Sequence, residues 1–238
     1  LFIENMLDEE PEFEGFKRLV NKVENPANSE VREKTVLSDD EVQLILDTLL
    51  EKGKLQACCA IAILAYSGMR KAELLQMRPE YFDEEHIVFD ALHQTELIRA
   101  KGRGKNGHQM KKWIMIQGDK YIMPWIEKRK ELGVDCEWLF CHRDGDSWKN
   151  MEYIDHYMDL ASNIVNKPVY AHSFRHFVCT KLLSDYNLPS EVVREFYQWE
   201  SVEMLKIYND RSAVDDFGKY FSADGIVKQE EKSLSDLK

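Results

Sequence analysis

Apolar residues recur at spacings of three and four through most of the chain, the periodicity of helices with one buried face. Residues 1–24 carry Phe13, Phe16, Leu19, Val20 and Val23 in such a stripe, within an acidic segment that Asn25-Pro26 stops. A polar linker follows to about Val36. Ser38-Asp-Asp-Glu41 then reads as a capping box opening a helix with Val42, Ile45, Leu46, Leu49 and Leu50 on one face and Gly53 at its end. Leu55 to Tyr66, rich in Ala, Ile and Leu, has the composition of a buried helix, and Ser67-Gly68 turns it into Arg70-Lys-Ala-Glu-Leu-Leu75. Arg70 is thereby held at a tight corner.

Between Glu85 and Gln117 the pattern shortens to β-like pieces, His86 to Phe89, Glu96 to Arg99 and Trp113 to Ile116. The last two are joined by the basic, Gly-rich run Lys101-Gly-Arg-Gly-Lys-Asn-Gly107, which predicts a small antiparallel sheet with a mobile hairpin. Helical spacing resumes over Lys120 to Leu132, Asn150 to Val165 and, after Pro168, Ala171 to Leu183. Further helices are expected at Ser190 to Tyr197, Ser201 to Tyr208 and Val214 to Phe221, ahead of a charged tail expected to be poorly ordered. The fold class predicted is mainly α with a small antiparallel β-sheet (α+β).

A chain of 238 residues with 44% hydrophobic content can bury one substantial core, or a core plus an attached fragment. No apolar run approaches the roughly 18 to 20 residues that cross a bilayer, and none has the flanks of a signal peptide. The five cysteines are odd in number and scattered, which speaks against a disulfide framework and for a reducing, cytoplasmic setting. Cys136, Cys141 and His142 lack a second ligand pair at zinc-finger spacing, so they read as ordinary side chains and no metal is expected. A formal net charge of -11 argues against a nucleic-acid partner, but its distribution does not. Acidic residues crowd the first fifty positions, whereas Arg99 to Lys120 holds Arg99, Lys101, Arg103, Lys105, Lys111, Lys112 and Lys120 against Asp119 alone. Neither a phosphate-binding glycine loop nor a His-Glu-x-x-His zinc motif is present.

The segment Ala171 to Leu183 crowds His172, Arg175 and His176 beside an apolar stripe of Phe174, Phe177, Val178 and Leu182, a helix buried on one side and cationic on another. Taken with Ser67-Gly-Met-Arg-Lys-Ala-Glu73, the basic hairpin, Trp199, and Tyr208 nine residues later, it resembles the catalytic domain of the tyrosine recombinase (phage integrase) family over roughly residues 35 to 222. The order and spacing of the pieces make the likeness specific.

The resemblance implies a role for each matched residue. Tyr208 would be the nucleophile on a DNA phosphodiester, giving a 3′-phosphotyrosyl link. Arg70 and Arg175 would grip the non-bridging oxygens. His172 would assist proton transfer at Tyr208. A hairpin lysine, Lys105 with Lys101 as the rival, would protonate the departing 5′-oxygen, and Trp199 would pack beside the phosphate. Glu73 would orient Arg70, and His176 would support the site from behind. Arg99, Lys101, Arg103, Lys105, Lys111 and Lys112 would contact DNA.

The family further implies double-stranded attachment sites as partner, a homotetramer assembled through the C-terminal segment, accessory DNA-bending proteins, no cofactor, and action at the nucleoid. Residues 1–34 would end a preceding core-binding domain, 35–222 form the catalytic domain, and 223–238 a tail. Two departures stand out. Gln198-Trp199 occupies a turn where Gly-His is usual, and the interval from Arg175 is one residue long, which predicts a longer loop near Asn187. Type IB topoisomerase-like relaxation, silent DNA binding and metal-dependent hydrolysis through His172 and His176 are the rival functions.

Overall fold

The structure, a computed structural model, describes residues 35–100, 108–142, 148, 151–199, 221–222 and 225–226. Ser38 opens the first helix, α1 (Asp39–Glu51): its hydroxyl accepts the Glu41 N–H at 3.2 Å while the Glu41 carboxylate accepts the Ser38 N–H at 2.8 Å. Val42, Ile45, Leu46 and Leu49 form its buried face, as the spacing predicts. The second helix, α2 (Leu55–Ser67), is apolar on every side and is surrounded accordingly, with ten of its thirteen residues buried. It packs against α1, α4 (Asp119–Glu131), α5 (Glu152–Val165) and α6 (Ala171–Thr180), and the short α3 (Lys71–Leu74) follows it around the corner at Gly68. The core is thus built around one central helix, and its C-terminal end delivers Arg70. The thiols of Cys58 and Cys59 lie inside this core, and burial pushes Cys58 up to about 12, so both stay protonated packing groups.

Strands β1 (Ile87–Val88), β2 (Leu92–Gln94) and β5 (Trp113–Met115) form one antiparallel sheet in the order β1-β2-β5, with Leu92 opposite Met115 and Gln94 opposite Trp113. Strands β3 (Ile98–Ala100) and β4 (His108–Met110) make a separate two-stranded ladder with Ile98 opposite Met110. The strand near Arg99 therefore pairs with His108–Met110, and the Trp113 strand pairs with Leu92–Gln94, a strand the periodicity does not reveal. The turn leading into β2 explains the omission. Phe89 and Asp90 both take left-handed backbone, φ 57 and 54, and the Ala91 N–H closes onto the Val88 carbonyl at 3.2 Å. That is primed-turn geometry built without the Asn-Gly or Asp-Gly that signals it.

The helix expected over Ala171 to Leu183 is α-helical only to Thr180, and continues as a π turn over Lys181–Asp185. A π turn inserts one residue relative to α geometry. The long interval after Arg175 is therefore absorbed partly inside the helix, ahead of Asn187, whose φ is 50. Helix α7 (Ser190–Tyr197) follows. At the far end, Phe221–Ser222 pairs with Gly225–Ile226 as β6 and β7, so Phe221 lies in a strand and not at the end of a helix. The expected helices at 1–24 and 201–208, and residues 214–220, lie outside the described residues. Among the described residues no helix is long and apolar enough to cross a membrane.

Candidate active site

Gly68 caps α2 in the left-handed conformation, φ 63, and a Cβ there would collide with the Tyr197 hydroxyl. Both facts require glycine. Two residues on, Arg70 is extended (φ −83, ψ 157) at the N-cap of α3, which turns its side chain back over the first turn. Glu73 receives it twice: its carboxylate accepts the Arg70 N–H at 2.8 Å and Nη1 at 3.2 Å. Glu73 is 1% exposed, and its Oε1 also lies 3.3 Å from Nζ of Lys112. One buried carboxylate therefore anchors two cations.

Lys112 corrects the sequence reading. It is expected as a DNA contact, yet it is 4% exposed and faces the interior. Its backbone is tied to Thr95, N–H to Oγ1 at 2.9 Å and carbonyl to the Thr95 N–H at 2.9 Å, so it continues the inward alternation Met110, Lys112, Ile114. Burial lowers its pKa and Glu73 pulls it back up, while Arg175 and Arg70 lower it further. Those causes place all four charges in one neighbourhood.

Arg175, on α6, is 1% exposed. Its Nη1 donates to the Gly68 carbonyl at 2.7 Å, and its Nε and Nη2 are buried with no hydrogen-bond partner among the described residues. Its guanidinium carbon lies 4.5 Å from the Tyr197 ring centroid and 5.1 Å from that of Trp199, and those rings stack at 4.5 Å and 14°. Burial raises the neighbouring Cys179 thiol to about 12, with Arg175 opposing it. His172, one turn earlier, is exposed. Its imidazolium is nonetheless disfavoured, first by the protein packed around the ring and then by Arg175 and Arg70, so its pKa lies below the ordinary 6.5. His176 is nearly buried with its ring edge-on to His172 at 5.7 Å, and it lines a cavity with Leu37, Asp39 and Lys181 on the other side.

Trp199 leaves α7 through Gln198, which takes the left-handed C-cap position, φ 50 and ψ 49, usually given to glycine. The Gln198 Nε2 donates to the Lys111 carbonyl at 3.0 Å, and Arg194 Nη1 donates to the Trp199 carbonyl at 3.0 Å. The hairpin base is held from the other side by Gln76, whose amide accepts the Arg99 N–H and donates to the Arg99 carbonyl, both at 2.8 Å. The Arg99 side chain is exposed, and Lys111 Nζ donates to Gln94 at 2.9 Å.

The structure thus brings Arg70, Glu73, His172, Arg175 and Trp199 together; it moves Lys112 from the surface to the interior, ties Gln198 to the hairpin base, and adds Tyr197, which the motif reading passed over. Alternation with Ile114 is the signal that could have placed Lys112; Tyr197 offers none beyond an apolar helix position. Tyr208, Lys101, Arg103 and Lys105 lie outside the described residues.

Several known proteins share this fold. XerA recombinase superposes with a TM-score of 0.61 at 20% identity, over 78% of this chain and 64% of that one. A Tn1549 transposon integrase, solved with circular-intermediate DNA, gives 0.62 at 17% over 81% and 66%. A lambda integrase dimer on a core site gives 0.55 at 18% over 97% and 73%. These share the fold. The SPbeta prophage-derived recombinase-like protein YomM of Bacillus subtilis (strain 168) is 25% identical over 199 residues, covering 82% of this chain and 59% of its own length, so the chain spans about three-fifths of that relative. The model of the phage integrase family matches residues 35–214, a span that takes in every residue of the pocket and Tyr208 as well, and the chain belongs to that family, the tyrosine recombinases.

Proposed function

We propose that the chain is the catalytic part of a site-specific DNA recombinase of a phage or mobile element. Tyr208 attacks a phosphodiester, forms a 3′-phosphotyrosyl bond and releases a 5′-hydroxyl; the reverse attack by a partner strand's hydroxyl rejoins the DNA. The bond energy stays in the ester, so neither ATP nor a metal is needed. Paired strand exchanges through a Holliday junction, on a homotetramer held through the C-terminal segment, complete the reaction at double-stranded attachment sites, with DNA-bending proteins as possible accessories. In this reading residues 1–34 are the end of a helical core-binding domain plus a linker.

The observation that supports this best is the uncompensated charge around Arg175. Arg70, Lys112 and Arg175 share one neighbourhood, Glu73 is the carboxylate paired with the first two, and the buried Nε and Nη2 of Arg175 have no partner among the described residues. A guanidinium left this way suits a phosphate oxygen, whose charge grows as the pentacoordinate transition state forms. Burial, Arg175 and Arg70 lower the His172 pKa and so favour the neutral ring that can accept the tyrosine proton; Lys105, or Lys101, returns one to the leaving oxygen.

The test is a nicked suicide duplex carrying a site selected from a randomised pool. An SDS-resistant adduct should form, persist in EDTA, and map by peptide sequencing to Tyr208. An adduct that maps elsewhere, or its absence with every selected site, would remove the proposal, and relaxation of plasmids lacking the site would favour the topoisomerase reading.

His172 sets a pH dependence. Its folded pKa is depressed, so the base stays neutral to lower pH than a free histidine, and kcat/KM for adduct formation should fall only below the ordinary value of 6.5. Stability follows the same sign: acidification through the unfolded pKa is where this histidine begins to cost folding energy. His172→Asn should abolish the acid limb. A wild-type limb centred above 6.5, or one that survives in the variant, would show that another group controls it.

A further inference from the structure

We propose that Tyr197 is a positioning residue for phosphate recognition, its ring face fixing the plane of the Arg175 guanidinium so that Nε and Nη2 point to the ligand. The inference rests on the reading of Arg175 as a phosphate ligand. A buried guanidinium is ordinarily fixed by a carboxylate fork. Arg175 has no ion pair with a carboxylate among the described residues; Nη1 is fastened to the Gly68 carbonyl, and the guanidinium carbon lies over the Tyr197 ring, 4.5 Å from its centre. A carbonyl fixes one nitrogen but leaves the plane free to rock about that bond. An aromatic face removes the remaining freedom without consuming a donor.

Tyr197 is itself immobile. It is 2% exposed, stacked on Trp199, and pressed against Gly68, where any Cβ would displace it. Its hydroxyl reaches the Arg175 carbonyl at 3.5 Å, the outer edge of a hydrogen bond, while its ring lies directly against the guanidinium. The arrangement also gives a physical reason for the neighbouring glycine: Gly68 supplies both the carbonyl that receives Arg175 and the space that receives Tyr197.

Ring electronics separate this role from core packing. In the full chain, Tyr197→Phe is followed by phenylalanines at that position with increasing ring fluorination, which drains the negative face while nearly keeping the volume. Adduct formation is measured under single-turnover conditions on the selected suicide duplex, alongside gel-shift affinity and melting temperature. Tyr197→Phe should cleave within about 2-fold of wild type, and the rate should then fall stepwise to on the order of 10-fold slower at full fluorination. Affinity and melting temperature should stay level across the series. A flat rate, a full loss already at Tyr197→Phe, or a parallel fall in melting temperature would each overturn the positioning role. Absence of any wild-type adduct would instead mark failure of the recombinase reading, and this inference would fall with it.

Discussion

Arg175→Lys is expected to slow adduct formation by roughly 10²- to 10³-fold, the scale seen when a preorganised donor to a developing oxyanion is lost. Lysine keeps the charge but not the fork. Its single nitrogen cannot both hold the Gly68 carbonyl, as Nη1 does at 2.7 Å, and present two further donors, and it has no flat face for the Tyr197 ring. Because the missing contacts strengthen only as charge builds on phosphorus, ground-state DNA affinity should change little, and single-turnover rate should carry the loss. Equal losses in affinity and rate would mean that Arg175 binds substrate and transition state alike. A variant that cleaves normally would place phosphate recognition elsewhere.

The second large effect falls on folding. Glu73→Ala removes the acceptor of the Arg70 N–H, the Arg70 guanidinium and the buried Lys112 ammonium in one step. Breaking a buried pair from one side costs about 3–5 kcal/mol, since the remaining charge is left without compensation. In a domain of this size that is a fall of roughly 10 °C in melting temperature. Two controls identify the cause. Burial already lowers the pKa of Lys112, so a protonated Lys112 opposes folding, and the deficit should shrink as pH rises and the ammonium is lost. Lys112→Met placed on Glu73→Ala should recover part of the stability, because no stranded charge remains. A deficit that is independent of pH and unrelieved by the second substitution would assign the loss to the Arg70 cap alone.

The helices were readable because their ends are chemically marked. Ser38 and Glu41 announce α1, Gly53 and Gly68 close α1 and α2, and the all-round apolar character of Leu55–Ser67 says that it lies at the centre. The sheet was only half readable: its strands are two or three residues long, too short for alternation to declare itself, and the Phe89-Asp90 turn is held by its tertiary setting rather than by residues that favour φ > 0. The motif residues Arg70, Glu73, His172, Arg175 and Trp199 lie in one neighbourhood. What the motifs missed are the groups that work on other side chains. Lys112 was hidden because a lysine in a basic run reads as solvent-facing, although its two-residue phase with Ile114 turns it inward. Tyr197 was hidden because a ring packed against a guanidinium leaves no spacing pattern, whereas Gln198 stood out as a departure from the usual glycine and its left-handed backbone shows why glycine is usual there.

That last residue has a mechanical consequence. A glutamine in left-handed backbone is strained by about 1 kcal/mol relative to glycine, and its amide is held by the Lys111 carbonyl at the base of the hairpin. With glycine the turn into Trp199 would be a slack joint. With glutamine the joint is held as long as its amide stays on the Lys111 carbonyl, so a displacement of the Lys111 strand reaches the Trp199 turn directly.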